Sequence, residues 1–224
     1  MESAAMGQIG GVALPGELRV VEDVPTHFAD LVVTNAPASI ALSGGDLARA
    51  CYEHLAARPF DWSEIDVFFG DDRFIPPEHE DSNEGMVRKV LLDHVHPRAV
   101  YPMYRPGSIE EAAAAYDTLM REHPPIELAH LGVGPDGHTA SLFPNSPALD
   151  VTDRLVVATG DDVHPYPRIT CTYPGIARSP FVVVTVAGAD KRDAMRRIAA
   201  GEDLPAARIR AEKVLWLVDE AAAP

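Results

Sequence analysis

Gly132-Val133-Gly134-Pro135-Asp136-Gly137-His138-Thr139-Ala140-Ser141-Leu142-Phe143-Pro144 is the stretch from which both fold and chemistry are read. The short, mostly apolar run Ile126–Leu131 before it suits a strand entering a core. Three glycines and a proline then stop that strand and force a tight, exposed turn. The turn ends on a histidine, followed by the small hydroxyl residues Thr139 and Ser141. Imidazole is the side chain whose ordinary pKa lies closest to neutrality, so a strand-end loop that presents one suits proton transfer. The competing reading is a turn histidine bonded to a backbone carbonyl; the glycine framing favours proton transfer.

Working outward, the same strand-then-polar-loop unit recurs upstream. Ile40–Leu42 reads as a buried strand running into Ser43-Gly44-Gly45, and Leu47, Ala50, Cys51 and Leu55 follow at helical spacing, with Asp46 as N-cap and Pro59 closing the helix. Ile65–Phe69 is a strand ending in the loop Gly70-Asp71-Asp72-Arg73, and Asp81-Ser82-Asn83 caps a helix carrying Met86, Val90 and Leu91. Glu17–Glu22 and Val100–Met103 are short strands, and Pro25–Thr34 is a short helix. Ser108–Glu122 is an Ala-rich helix with Glu110 and Glu111 in its first turn, where the macrodipole favours acid. Downstream, Leu155–Thr159 and Arg168–Thr172 are strands, Asp190–Ala200 is a helix and Val214–Val218 is the last strand. Phe181–Ala187 is continuous and β-branched, so it is expected to be central and buried on both faces.

Strands alternating with helices predict a single Rossmann-like α/β domain over residues 17–224, with a mainly parallel sheet and helices on both faces, after a flexible N-terminal segment 1–16. Ligands of such sheets bind beyond the carboxyl ends of the strands. If their strands are parallel neighbours, the loops Ser43–Asp46, Gly70–Arg73 and Gly132–Ser141 meet on one edge.

Composition narrows the partners. A chain of 224 residues with 46% hydrophobic and 24% charged residues has the make-up of a soluble globular protein with a real core. A net charge of −15 argues against nucleic-acid or anionic-membrane partners, which need clustered Lys and Arg. An anionic substrate would therefore have to be met by positive groups gathered at the site itself. Cys51 and Cys171 lie far apart, with no Cys or His at metal-ligand spacing, which suggests a reducing compartment and no structural zinc. Met1–Gly11 shows no leader pattern and no apolar run is long enough to span a bilayer, so a cytoplasmic location is expected.

Each loop has a chemical reading. Ser43, Gly44 and Gly45, between a strand and a helix, expose backbone N–H groups at the positive end of the helix, a ready anion site. Asp46 sets a carboxylate beside that anion unless its side chain caps the helix. Arg73 offers a fork for phosphate oxygens and Lys191 a second charge; for each the alternative is a surface salt bridge. Asp71 and Asp72 are candidate metal ligands, but no further carboxylates or histidines complete a shell, so orienting a histidine or a substrate hydroxyl is the more economical role.

Three blocks together resemble the signatures of the 6-phosphogluconolactonase family: Leu42-Ser43-Gly44-Gly45; Gly70-Asp71-Asp72-Arg73 with Pro76 and Ser82-Asn83; and Leu131–Pro144. Pro167-Arg168-Ile169-Thr170, Gly188–Lys191, Leu204-Pro205-Ala206 and Trp216-Leu217-Val218-Asp219 extend the resemblance over nearly the whole chain from Glu17. The run Asp136–Pro144 is highly specific, whereas Ser-Gly-Gly is not. The resemblance implies hydrolysis of 6-phospho-D-glucono-1,5-lactone to 6-phosphogluconate in the oxidative pentose phosphate pathway. It implies a general base at His138, an assisting acid at Asp71, and phosphate contacts from Ser43, Gly44, Gly45, Arg73, Lys191 and Arg168, without metal or cofactor. Two positions depart from the family pattern: Asp46-Leu47-Ala48 replaces Ser or Thr followed by Thr-Pro, and Asp72 replaces the common Glu. An amino-sugar phosphate deaminase of similar fold and a non-catalytic sugar-phosphate sensor are the alternatives.

Overall fold

The computed structural model describes residues 14–160 and 164–224. In chain order its elements are β1 (Glu17–Val20), α1 (Val24–Asn35), β2 (Ser39–Leu42), α2 (Asp46–Ala56), β3 (Asp66–Phe69), β4 (Asp71–Arg73), α3 (Asn83–Val87), β5 (Ala99–Val100), α4 (Ile109–Glu122), β6 (Leu128–Gly132), β7 (Val156–Thr159), β8 (Arg168–Cys171), α5 (Tyr173–Ala177), β9 (Phe181–Val186), α6 (Arg192–Ala199) and β10 (Lys213–Val218). Seven of the strands pair in parallel in the order β1-β10-β9-β6-β2-β3-β5, with helices flanking the sheet, as the alternation of elements predicts. β9 is buried at all six positions and pairs on both edges, so its unbroken apolar run has the expected cause.

The chain builds outward from β2 to β3 and β5, then returns to β6 on the other side of β2 and continues to β9 and β10. β2 and β6 therefore flank the point where strand order reverses, and a crevice opens beyond their carboxyl ends. The strands β6, β2 and β3 are adjacent and parallel, which is the condition for their three loops to share one edge.

Three details differ from expectation. First, Asp71–Arg73 is a strand, not a loop: β4, β8 and β7 make a separate three-stranded antiparallel sheet. A polar Asp-Asp-Arg run has little strand propensity of its own, so its pairing with Arg168–Thr170 decides it. Second, α2 is capped by Gly45, at φ 94° and ψ 169°, and Asp46 opens the helix without a side-chain cap bond. Glycine adopts that positive φ at no steric cost, which an aspartate does not. Third, of the segment 1–16, residues 1–13 lie outside the described residues, while Leu14 is buried and the Pro15 carbonyl accepts from Trp216 Nε1 at 2.8 Å.

Helix ends follow the sequence closely. Ser108 and Glu111 close a reciprocal capping box at α4, and the Ser82 hydroxyl accepts from the Gly85 N–H at the start of α3. Phe28, Tyr52, Phe68, Phe69 and Trp216 are among the largest fully buried side chains.

Candidate active site

The glycine turn after β6 is built to present His138. The Gly134 N–H donates to the His138 carbonyl and the Gly137 N–H to the Gly134 carbonyl, both at 2.9 Å. Gly137 sits at φ 85°, and a side chain on Gly134 would run into the His138 ring. The Thr139 hydroxyl donates to the Gly132 carbonyl at 2.9 Å, closing the turn onto the end of its strand. His138 Nδ1 lies 2.6 Å from Asp136 Oδ1, which also accepts from the His138 backbone N–H at 3.1 Å. With Nδ1–H committed to that carboxylate, Nε2 is the ring nitrogen left to accept a proton. Burial lowers the imidazole pKa, and the opposing pull of Asp136 and Asp71 does not restore it, so the ring is neutral at pH 7. Burial pushes the Asp136 carboxyl up, but the His138 backbone N–H, its charge and its ring N–H outweigh this, and the net shift is down.

A cavity of about 420 Å³ lies beyond the carboxyl ends of β2, β3, β6 and β9. Ser43, Gly44, Gly45, Asp71, Arg73, His138, Arg168 and Lys191 all line it. All eight residues singled out in the sequence thus face one space. Asp46, exposed, also lines it.

The small antiparallel sheet gathers the cations. Arg73 and Arg168 stand directly opposite each other across β4 and β8. Like charges in that position repel, yet both side chains line the cavity. Arg168 is buried, with its guanidinium 5.3 Å above the Phe143 ring. Lys191 reaches the cavity from the turn after β9, paired with the more exposed Asp190 at 3.0 Å.

Several residues that hold this arrangement were not foreseen. The carboxylate that orients His138 is Asp136; Asp71 instead accepts from the Ser141 hydroxyl at 2.6 Å. The spacing Asp-Gly-His, which lets a carboxylate fold back onto a ring two residues on, was the available signal. Asn83 ties the Ser43 turn to β4: its Nδ2 donates to the Asp71 carbonyl at 3.0 Å, its Oδ1 accepts from Arg73 Nη1, and a side chain on Gly44 would collide with it. Asp72 anchors that helix start, accepting from the Arg73 and Asn83 N–H groups at 2.7 Å and from Glu84 at 2.9 Å. Burial pushes the Asp72 carboxyl up to about 7 against the pull of those amides. Tyr52, His130 and Thr185 form a buried chain behind the Ser43 turn.

The sequence showed no ligand shell for a metal, but folding brings Asp136, His138 and His164 together, each with a ligand atom within 4.8 Å of the others. The Asp136–His138 hydrogen bond engages two of these three groups.

The parallel α/β sheet thus brings an imidazole and three cationic side chains to one cavity at its switch point. The family model described as glucosamine-6-phosphate isomerases/6-phosphogluconolactonase matches residues 17–216, and the chain belongs to that family. Curated relatives include a Synechocystis 6-phosphogluconolactonase, 38% identical over 220 residues and covering 91% of each chain. A Nostoc 6-phosphogluconolactonase is 40% identical over 202 residues, covering 82% of each. Among solved structures, the 6-phosphogluconolactonase of Thermotoga maritima superposes with a TM-score of 0.78 at 28% identity, over 91% of this chain and 99% of that one.

Proposed function

We propose that this protein hydrolyses 6-phospho-D-glucono-1,5-lactone to 6-phosphogluconate in the oxidative pentose phosphate pathway. The observation that carries the reading is a carboxylate-oriented imidazole sharing a cavity with Arg73, Arg168 and Lys191. His138 Nε2 takes a proton from water as that water attacks the lactone carbonyl carbon, a role typically worth about 10²–10⁴-fold. Negative charge develops on the carbonyl oxygen, where backbone N–H groups of the glycine turn or a cationic side chain stabilise it. The imidazolium, steadied by Asp136, then returns the proton to the ring oxygen as the C–O bond breaks. Asp71 assists from the same cavity, its carboxylate held by Ser141.

The phosphate is assigned to Gly44, Gly45, Arg73, Arg168 and Lys191, with the Ser43 side chain beside them. The Ser43 N–H is already donated to Tyr52, so the free N–H groups of this turn begin at Gly44. Asp46 sits next to this anion but also at the first turn of α2, where the macrodipole accommodates a carboxylate. No helix among the described residues is long and apolar enough to cross a membrane. A cytoplasmic location belongs to the same proposal and is supported by two buried free thiols, Cys51 and Cys171.

The test is a pH-stat assay on phosphorylated and unphosphorylated gluconolactone with wild type and His138→Ala. Wild type is expected to prefer the phosphorylated lactone, and the variant to lose nearly all catalysed opening while still binding 6-phosphogluconate. Wild-type-like turnover by the variant would remove His138 from the mechanism. Release of ammonia from glucosamine 6-phosphate would replace the lactonase reading with a deaminase.

A further inference from the structure

We propose that Thr185 binds the substrate directly, donating its hydroxyl hydrogen to a substrate oxygen, and that Tyr52 and His130 are positioning residues that fix the direction of that donation. The inference rests on the sugar-phosphate reading of the cavity and adds a binding residue to it.

Four groups form one buried hydrogen-bonded chain. The Ser43 N–H lies 2.6 Å from Tyr52 Oη, Tyr52 Oη lies 2.7 Å from His130 Nδ1, and His130 Nε2 lies 2.8 Å from Thr185 Oγ1. A backbone N–H only donates, so the tyrosine oxygen accepts at that end. The single Tyr52 hydrogen then has one remaining neighbour, His130 Nδ1, which must accept it. An imidazole that is neutral and accepts at Nδ1 carries its hydrogen on Nε2 and donates to Thr185. Running the chain the other way would leave the hydrogen of a wholly buried tyrosine without an acceptor. Burial keeps both ends of this assignment in place: it lowers the His130 pKa to about 3 and raises that of Tyr52.

Thr185 therefore accepts from the protein, and its own hydrogen has no acceptor among the described residues. It stands at the carboxyl end of β9, opposite Gly132 in register, and its side lines the cavity together with Ser43 and Lys191. A hydroxyl that accepts from the protein and has no protein acceptor keeps its own hydrogen to give, and that hydrogen suits an oxygen acceptor: a phosphate oxygen or a sugar oxygen. The same chain ties the Ser43 turn to β9, so the wall that cradles the anion and the donor share one buried support.

Thr185→Val removes the hydroxyl at nearly constant volume, and Thr185→Ser keeps it. The Kd for 6-phosphogluconate is measured by calorimetry, with KM and kcat on both lactones, and the His130 tautomer is read by ¹⁵N NMR. Valine is expected to raise Kd and KM about tenfold with little change in kcat, serine to restore both, and His130 to carry its hydrogen on Nε2. A KM effect confined to the phosphorylated lactone assigns the contact to phosphate; an equal effect on both assigns it to the sugar. Binding within about twofold of wild type in the valine variant, failure of serine to restore it, or hydrogen on Nδ1 would each overturn the inference. Should wild type open neither lactone, the lactonase reading fails, yet calorimetry still decides the role of Thr185. Absence of 6-phosphogluconate binding by wild type overturns both.

Discussion

His130 makes stability depend on pH by an amount that follows from its burial. In the unfolded chain a histidine titrates near 6.5, whereas in the fold burial lowers the pKa to about 3. Between those values the unfolded state binds a proton that the folded state refuses, so stability rises with pH across this window and is lost as pH falls through it. From pH 7 to 5 the unfolded imidazole moves about 1.5 units below its pKa, at roughly 1.4 kcal/mol per unit, so His130 alone removes about 2 kcal/mol. That is a substantial part of the roughly 5–15 kcal/mol that holds a typical domain. Asp72 acts in the opposite sense: its folded pKa is raised to about 7, so its contribution is present below the unfolded value and lost as pH rises towards 7. The wild-type profile therefore mixes two opposed terms, and a variant isolates one. His130→Asn retains an oxygen that accepts from Tyr52 but does not titrate. Urea unfolding at pH 7 and pH 5 is expected to show wild type losing about 2 kcal/mol more than the variant over that interval. A difference below about 0.5 kcal/mol would refute the reasoning, because His130 would then titrate in the fold much as it does in the unfolded chain.

Three further outcomes are expected. Asp136→Asn removes the carboxylate that favours the imidazolium, so kcat falls by about 10-fold or more and the acid limb of the pH–kcat/KM profile, already below 6.5, moves to lower pH; an upward shift would contradict this. Gly44→Ala drives a methyl group into the Asn83 amide, which is buried and bonded to Asp71 and Arg73; loss of about 1–3 kcal/mol by thermal unfolding and a raised KM for the phosphorylated lactone are expected. Lys191→Ala should raise KM for the phosphorylated lactone about tenfold and leave the unphosphorylated one unchanged; equal effects on both would place the lysine away from the phosphate.

Much of the frame was legible because its causes are local. The β-branched run at Phe181–Val186 demanded burial on both faces, the Ser108 and Ser82 signals marked helix starts, and the glycines around His138 could only make a tight turn. The convergence of three loops was inferable because neighbouring parallel strands point their carboxyl ends the same way. Asp71–Arg73 was not legible as a strand, since three polar residues form one only when another strand is laid beside them. Asp46 was misplaced by one position because its residue type suits a cap, while the backbone there requires glycine.

Taken alone, then, the order of residues determined the alternation of strand and helix, the identity of the histidine, and the set of cations and glycines that face the cavity. Tertiary structure decided which groups act on one another. It chose Asp136 over Asp71 as the partner of His138, set Arg73 opposite Arg168, and aligned Tyr52, His130 and Thr185 across 132 intervening positions into one hydrogen-bonded line. Periodicity and turn chemistry are properties of short segments, whereas the direction of a hydrogen bond between distant strands exists only once packing has removed the water that would otherwise supply every partner.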